Sequence, residues 1–386
     1  MAGQKSVGSK VILASTGFAM GAQHPGRLLA QAVEEAHHKL HGQTITAAIF
    51  LFSPPLSPVH PSMLQAQMRQ LACLQIAAAT FPGVFTDAGQ ALGDPACAVL
   101  LLASPLGLSR SGQEPGMPRL RWARPDQTTP HWLGQSAGFG SVSSRTGCFW
   151  LHASARREPV ELCFRGISAQ HSAWSAGLRP LSAILPVTRQ EGNLLLQLER
   201  YLALPMLAQN IPFSIRQEAR LPLERLLIGE VRKDTHPDTP PSLLHIRATD
   251  INRSGLWLER ALEEESRAFL TLRDPSSAER DTRIALETLA TNAPSPAFAW
   301  ISSSIGRDVA FFGGEDRDLA LWRERFPQLP TLGAYGMGEL LPTQEHSHLL
   351  RYSKVYTVFS AWNGVNQQES GEQSNAFNEP LTQIKE

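Results

Sequence analysis

No run of this chain approaches the roughly 20 consecutive apolar residues that a membrane-spanning helix needs. No membrane partner is therefore expected. An excess of basic charge is missing too: 35 Lys and Arg stand against 35 Asp and Glu in 386 residues. A nucleic-acid surface needs concentrated Lys and Arg, so nucleic acid is not an expected partner either. Cysteine is scarce. Cys73, Cys97, Cys148 and Cys163 form no CxxC and no His/Cys cluster, which argues against a zinc site or a disulfide framework. The sequence predicts no metal, no cofactor, and thiols that are mostly buried in a reducing cytoplasm.

What is present is apolar residue, 42% of the chain, enough for large cores. The length predicts two domains of roughly 100–200 residues each. Near the start, Lys5 and Lys10 precede VILASTGFAMGA, a loose imitation of a secretory signal. Ser15, Thr16 and Gly17 interrupt its apolar run, so it reads as a first strand. Residues 363–386 are polar and without hydrophobic periodicity, and read as a disordered tail.

Between these ends, Leu28, Leu29, Ala32, Val33, Ala36 and Leu40 mark one face of a helix from Pro25 to His41. Strands are expected at Ile45 to Phe52, Leu74 to Thr80 and Ala96 to Ala103, with a helix from Met63 to Leu71. Ser104 to Pro130, rich in Gly, Pro and Arg, reads as a long loop. From Cys148 the pattern turns to β: CFWLHA, PVELCFRG, LSAILPVT and NLLLQLE alternate as an antiparallel meander would. A helix begins near Leu204-Pro205. Further strands are predicted at Leu226 to Val231, Leu243 to Ala248, Gly255 to Glu259 and Phe269 to Leu272. Asp274 and Pro275 suit the N-cap and first residue of the next helix. After the strand AFAWIS comes a helix with Leu319, Trp322 and Phe326 on one face. Its Asp316-to-Arg325 charges read as a solvated surface. HLLRYSKVYTVFS reads as the last strand. Strands and helices alternate without a clean βαβ repeat, so the expected class is α+β with mixed or antiparallel sheets and packed helices.

Five places could carry chemistry. GQSAG, Gly134 to Gly138, fits the pattern of a nucleophile elbow around Ser136, but HWL before it is a poor strand and FGSVSSRTG after it a poor helix. SSSIGRD, Ser302 to Asp308, follows a buried strand. Arg307 there could grip a carboxylate with two parallel N–H bonds, or pair with an acid in a structural network. Ser304 could be a nucleophile, though no base is assignable. GAYGMGELLPT, Gly333 to Thr343, places three glycines beside Glu339, where bare backbone allows close approach to another body. IAAATFPGVFTD ends a strand in small residues at Thr80 and Gly83, leaving room for a ligand or for a packed helix. His346 and His348 share a strand face at period-two spacing, with no third metal ligand in view.

These segments resemble the FIST sensory proteins, with FIST N and FIST C regions in tandem. GAYGMGELLP is similar to that family's Gly-x-x-Gly-x-Gly-Glu-Ile/Leu-x-Pro signature. SSSIGRDVAFFGGEDRDLALWRERFPQLPTLG resembles its Ser-Cys-x-x-Arg-Gly segment, and AFLTLRDPSSAERD its Arg-Asp-Pro step. AAATFPGVFTDAGQALGDPACAVLLL resembles its Gly-Cys-Thr-x-x-Gly-Val-Phe segment. Ala78 and Ala79 stand where Gly and Cys are usual, Ser304 where Cys is common and Asp308 where Gly is common. Anything dependent on those thiols does not carry over. The resemblance implies two FIST-type halves, 16–200 and 201–362, in a cytoplasmic input module for small ligands such as amino acids, signalling through a separate partner protein.

Joined to the residues, it yields a specific expectation. A small zwitterion would sit between two loops, its carboxylate on Arg307 and its ammonium on Glu339. The Gly336 and Gly338 amides and Ser304 would complete the shell, with Thr80 and Gly83 closing it. The alternatives are an interaction platform using residues 104–130 and Phe311-Phe312, or a serine-dependent hydrolase using Ser304 or Ser136.

Overall fold

In the computed structural model, residues 12–56, 59–110, 117–135, 137–217, 220–233, 239–343 and 346–362 are described. The expected tail, 363–386, and Ser136 lie outside them. The described chain is a mixed α/β structure of four sheets, mostly antiparallel, and seven α-helices.

Sheet A runs in the order β1 (Ala14–Met20), β6 (Ala96–Ala103), β2 (Ile45–Phe52), β3 (Ile76–Thr80), β10 (Phe149–Leu151) and β11 (Ser154–Arg156). Sheet B runs β13 (Ile167–Ser175), β26 (Lys354–Ala361), β22 (Phe298–Ser304), β23 (Thr331–Gly336), β4 (Gly83–Thr86) and β5 (Gln90–Leu92). Sheet C runs β25 (Ser347–Leu350), β24 (Gly338–Pro342), β9 (Phe139–Val142), β8 (Arg119–Ala123), β12 (Val160–Arg165) and β7 (Gly107–Arg110). Sheet D contains β14 (Leu178–Pro180), β21 (Arg267–Arg273), β15 (Leu185–Glu191), β16 (Leu194–Leu198), β20 (Gly255–Leu258), β19 (Ser242–Asp250) and β18 (Leu226–Val231), with β17 (Tyr201–Leu202) beside β16.

The helices are α1 (Pro25–Lys39), α2 (Pro61–Gln70), α3 (Pro130–Gly134), α4 (Ala203–Asn210), α5 (Phe213–Arg216), α6 (Pro275–Asn292) and α7 (Arg317–Arg325). Each of the four longest has a side-chain N-cap: His24, His60, Asp274 and Asp316. The predicted Asp274 cap is made, its carboxylate accepting from the Ser277 amide at 2.8 Å.

Apolar spacing decides where each sheet face goes. One core gathers the inner faces of sheets A, B and C around Trp122, Phe139, Phe164, Trp300 and Phe359. The outer face of sheet A packs on α1 and α2 through Leu28, Val33, Phe50 and Leu64. The outer face of sheet B packs under α6 and α7 through Leu286, Ile301, Trp322 and Tyr356. Sheet D closes its own core with α4 and α5.

Sheets A and B share one plan. Both contain, in order, two antiparallel pairings, one parallel pairing and two more antiparallel pairings. In each, a helix lies between the first strand of the central parallel pair and the second: α2 in sheet A, α7 in sheet B. The strands do not sort by a boundary at residue 200. Sheet B takes β4, β5 and β13 from before it, and sheet C takes β24 and β25 from after it.

Several readings of the sequence are corrected. Residues 104–130 are not one open loop, because they supply β7 and β8, and the buried Leu120 and Trp122 put β8 inside sheet C. The expected meander is dispersed: CFWLHA joins sheet A, PVELCFRG sheet C, and only β15 and β16 are neighbours. The single last strand is two, β25 in sheet C and β26 in sheet B.

GAYGMGEL is where the chain leaves sheet B for sheet C, with only Met337 between β23 and β24. Neither Gly336 nor Gly338 has a positive φ. Their bareness serves close approach instead. A Cβ on Gly336 would lie 2.5 Å from the Val142 carbonyl oxygen, and one on Gly338 would lie 2.7 Å from Leu349 Cδ1. The glycines admit neighbouring protein atoms, not a ligand. Gly336→Ala is therefore expected to lower unfolding free energy by about 1–3 kcal/mol through overpacking. Gly134→Ala, at a position with open space around it, should change it little. Urea denaturation of both variants checks this, and equal stabilities would contradict the account.

Candidate functional site

β22 ends at Ser304, whose hydroxyl caps the turn Ile305–Arg307 by accepting from the Gly306 amide at 3.2 Å. That turn sends Arg307 inward, where it is fully buried. Its Nη1 donates to the Ser175 carbonyl at 2.5 Å and its Nη2 to the Ser175 hydroxyl at 3.0 Å. Nη2 also pairs with Asp318 Oδ2 at 2.6 Å. Thr282, on α6, donates to the other Asp318 oxygen at 2.6 Å.

A second pair lies alongside. Lys354, the first residue of β26, donates to both oxygens of Asp316 at 3.1 Å. The Tyr335 hydroxyl donates to Asp316 Oδ2 at 2.5 Å, and the Leu319 amide to Oδ1 at 2.9 Å. Burial alone would raise the Asp316 pKa, but Lys354, Tyr335 and the Leu319 amide together hold it below its ordinary value. Both acids sit at the N-terminus of α7, whose dipole favours negative charge. Burial, and then the neighbouring aspartates, push the Tyr335 and Tyr356 hydroxyls well above the usual tyrosine range, so both remain donors.

The shared plan of sheets A and B shows that these charges are not needed to build the scaffold. The Ser53 amide bonds the Ala96 carbonyl as the Ser304 amide bonds the Ser353 carbonyl. Superposing those bonds places Ser303 on Phe52. Phe52 faces Cys97 and Thr80 across its two neighbouring strands. Ser303 faces Lys354 and Tyr335. One half fills the position with a phenylalanine and a thiol; the other fills it with a serine and a charged lysine.

Glu339, on β24, is fully buried. Its Oε2 accepts from the Ser353 hydroxyl at 2.8 Å and the Ser353 amide at 3.3 Å. Among the described residues Oε1 has no hydrogen-bond partner. Burial pushes its pKa up to about 8, against the opposing pull of the Ser353 bonds and the charges of Arg307 and Lys354. Near neutral pH it is mostly a neutral acid. Its register partner on β9 is Ser141, which donates to Ser302 at 2.9 Å.

Most of the predicted residues lie near one another, but around packed protein, and Thr80 is held apart in sheet A. Ser304 lies opposite Gly336, and Gly83 opposite Tyr335. Thr80 accepts from the Cys148 amide at 2.8 Å. Arg307 is not open to a ligand carboxylate, because Ser175, Thr282 and Asp318 already hold it. Gly336 and Gly338 lie in strand ladders and do not form an exposed amide nest. Ser304 caps a turn. Asp316 and Asp318, read as part of a solvated helix face, are buried. The sequence reading missed these two, together with Lys354, Ser175, Thr282 and Ser353. A signal existed: Asp318 stands four residues before Trp322, on the helix face that packs inward. His346 and His348 do come together, with Nε2 atoms 3.2 Å apart. Among the described residues, however, no group of three His, Cys, Asp or Glu could hold a metal.

The space lies one step further out. A cavity of about 160 Å³ opens where sheet D meets sheets B and C, lined by Trp174, Ser242, Glu259, Arg260, Arg351 and Ser353 among others. Arg351 pairs with Glu259 at 2.9 Å, and Arg260 with Glu230 at 2.6 Å; both arginine side chains are nearly half exposed. Ser353 forms the inner wall and is the residue that donates to Glu339. Between Arg351 and Ser353, Tyr352 has a left-handed backbone, φ 58°, which a non-glycine residue adopts only at some cost. Its hydroxyl meets His245 Nε2, and its ring lies 4.5 Å beneath the Arg273 guanidinium. Arg273 donates to the Gly306 carbonyl, next to Arg307. Side chains and backbone therefore run unbroken from the cavity to the buried ion pairs.

No family model matches the chain. Two uncharacterized proteins from two strains of Mycobacterium tuberculosis are each 24% identical to it over 193 residues. The match covers 49% of this chain and 50% of each relative, so the chain spans about half the length of the curated relatives it matches. No helix among the described residues is long and apolar enough to cross a membrane.

Two tests follow from the buried charges. Asp318→Asn leaves Arg307 without its counter-charge, and should cost about 3–5 kcal/mol in chemical denaturation. Glu339 acts through pH. Its folded pKa, about 8, lies above its ordinary value. The protonated form therefore favours the fold, and that contribution fades as pH rises through about 8. Glu339→Gln cannot ionise. Its melting temperature should gain on the parent's from about pH 5 to about pH 8 and level off above that, and parallel pH profiles would refute the assignment.

Proposed function

We propose that the chain is a sensory protein of FIST type that binds a small zwitterion, an amino acid or close relative, in the cavity closed by Ser353. The carrying observation is that one carboxylate, Glu259, and two guanidinium groups, Arg260 and Arg351, face a single small space. A zwitterion presents one carboxylate and one ammonium, and each finds its opposite there. The volume, about 160 Å³, resembles the roughly 150 Å³ cavity that admits a benzene-sized guest. The ligand is therefore of order ten non-hydrogen atoms or fewer.

Energetics separate this location from the one expected between Arg307 and Glu339. Taking Asp318 away from Arg307 leaves a buried charge uncompensated, at about 3–5 kcal/mol. The Arg351–Glu259 pair is open to solvent on its arginine side and Glu259 keeps Arg247 as a second partner, so opening it costs less, on the order of 1 kcal/mol. A ligand can exchange into the second pair and not the first. The shared pairing plan of sheets A and B supports reading the chain as two FIST-type units, with strands that interleave across residue 200. The link through Tyr352, Arg273 and Gly306 supports a sensing role, because occupancy at Arg351 bears directly on a strained residue tied to α7. A separate signalling partner completes this reading.

Isothermal titration calorimetry of the purified chain against the common amino acids tests the proposal. One or a few should bind, and Arg351→Ala should weaken them about tenfold or more, the worth of one charge-assisted hydrogen bond. If no amino acid binds, or if Arg351→Ala binds as well as the parent, the reading fails.

A further inference from the structure

A second opening lies far from that cavity in the fold, between sheets A and C. Its volume is about 260 Å³. Ala77 on β3, Leu108 on β7 and Leu162 on β12 give it an apolar floor, and each is less than a twentieth exposed. Its rim carries Gln75, His152 and Arg165. The Gln75 carbonyl oxygen accepts from the Leu108 amide at 2.9 Å. This pins the edge of sheet C to sheet A and leaves the carboxamide nitrogen as the donor end. His152 has a left-handed backbone, φ 49°, and its Nδ1 is held on the Leu74 carbonyl at 2.6 Å. The rim is thus built from fixed groups.

Arg165 supplies the charge. Among the described residues it makes no ion pair, although most arginines nearby, such as Arg119 and Arg121, are paired with Glu161. Its head is nevertheless placed: a Cβ built on Gly107 would lie 3.5 Å from Arg165 Nη2 and 3.3 Å from Gln75 Oε1. The guanidinium and the carboxamide therefore flank the same glycine at the mouth of an apolar hollow. A guanidinium without an acid, above an apolar floor, fits a carboxylate carried on a hydrocarbon body.

We propose that this opening is a binding site for a small aliphatic carboxylate, its anionic head on Arg165 and the Gln75 carboxamide, and its chain against Ala77, Leu108 and Leu162. The volume exceeds that of a benzene-sized cavity, roughly 150 Å³, so a chain of about six carbons fits. The site is independent of the zwitterion cavity and stands or falls separately.

Titration of the full chain with hexanoate, hexan-1-ol and acetate, followed by calorimetry or by NMR shifts, tests it. Hexanoate should saturate below about 1 mM, with the alcohol and acetate at least about tenfold weaker. Arg165→Gln should reduce hexanoate to the level of the alcohol while leaving the melting temperature unchanged, because Arg165 is exposed. Arg351→Ala should leave hexanoate binding intact, which separates this site from the other. The proposal is overturned if hexanoate fails to saturate, if hexan-1-ol binds as tightly, or if Arg165→Gln binds as well as the parent.

Discussion

The contact on which the rest of the C-terminal structure depends is the fully buried pair of Arg307 and Asp318, 2.6 Å apart. Removing two ions from water costs several kcal/mol each, and only close geometry with further hydrogen bonds offsets it. The offset here comes from four elements at once. Ser175 closes β13, Thr282 belongs to α6, Asp318 to α7, and Arg307 to the turn after β22. Lys354 and Asp316 repeat the arrangement one strand away. Two positive and two negative groups leave no net charge inside. Any displacement of α7 against sheet B separates ions in a medium that cannot screen them. The helix is thereby held in register more firmly than apolar packing, which tolerates sliding, would hold it.

The same sheet plan without these ions is present in the same molecule. Where sheet B has Ser303, Lys354 and Tyr335, sheet A has Phe52, Cys97 and Thr80. The N-cap of α2 is His60, turned outward, while that of α7 is Asp316, buried. Pairing ions is usually no more stabilising than filling the volume with hydrocarbon, and sheet A does the latter. The ionic version adds a defined geometry that responds to charge. That difference sets the surroundings of α7 apart from those of α2.

Much of the framework was legible in the sequence. β2, β6 and β18 match the predicted bounds because each is a short apolar run flanked by turn residues, a pattern set by local chemistry. The Asp274-Pro275 start of α6 is likewise a local signal. What could not be read was non-local. β4 and β5 carry Thr86, Gly83 and Gln90 and lack strong alternation, yet they form strands because β23 offers β4 an edge and β4 offers one to β5. Residues 104–130 looked like a loop from their Gly, Pro and Arg content, yet Arg121 is buried in β8 beneath the Trp132 ring. The split of the last strand hangs on one residue, Tyr352, whose left-handed backbone no propensity signals. The candidate site followed the same rule. Glu339 and Gly336 stood out in one short segment and Ser304 and Arg307 in another, because each group is contiguous in sequence. Asp318 and Lys354 were missed because their partners come from elsewhere in the chain.

Glycine-rich backbone beside an acid suggested an open ligand loop, and packing explains why it is instead a closed crossing. A chain passing from sheet B to sheet C in one residue must run beside the strand it leaves and the strand it joins, and side chains would collide with Val142 and Leu349. The crossing carries Glu339 into a place with one oxygen satisfied and one not. An acid so placed favours the proton over the charge, and Ser353, its one hydrogen-bonding residue among those described, also lines the cavity between sheet D and sheets B and C. On the proposed reading, charge arriving at Arg351 and Glu259 would meet the buried ions along two routes. One runs through Ser353 to Glu339, electrostatically; the other runs through Tyr352 and Arg273 to Gly306, mechanically. The second ends beside Arg307, and the first reaches it only through the electrostatic field between Glu339 and Arg307. A displacement of Arg307 would consequently carry α7 with it, because the buried contacts to Asp318 and Thr282 bind the turn to the helices it packs on.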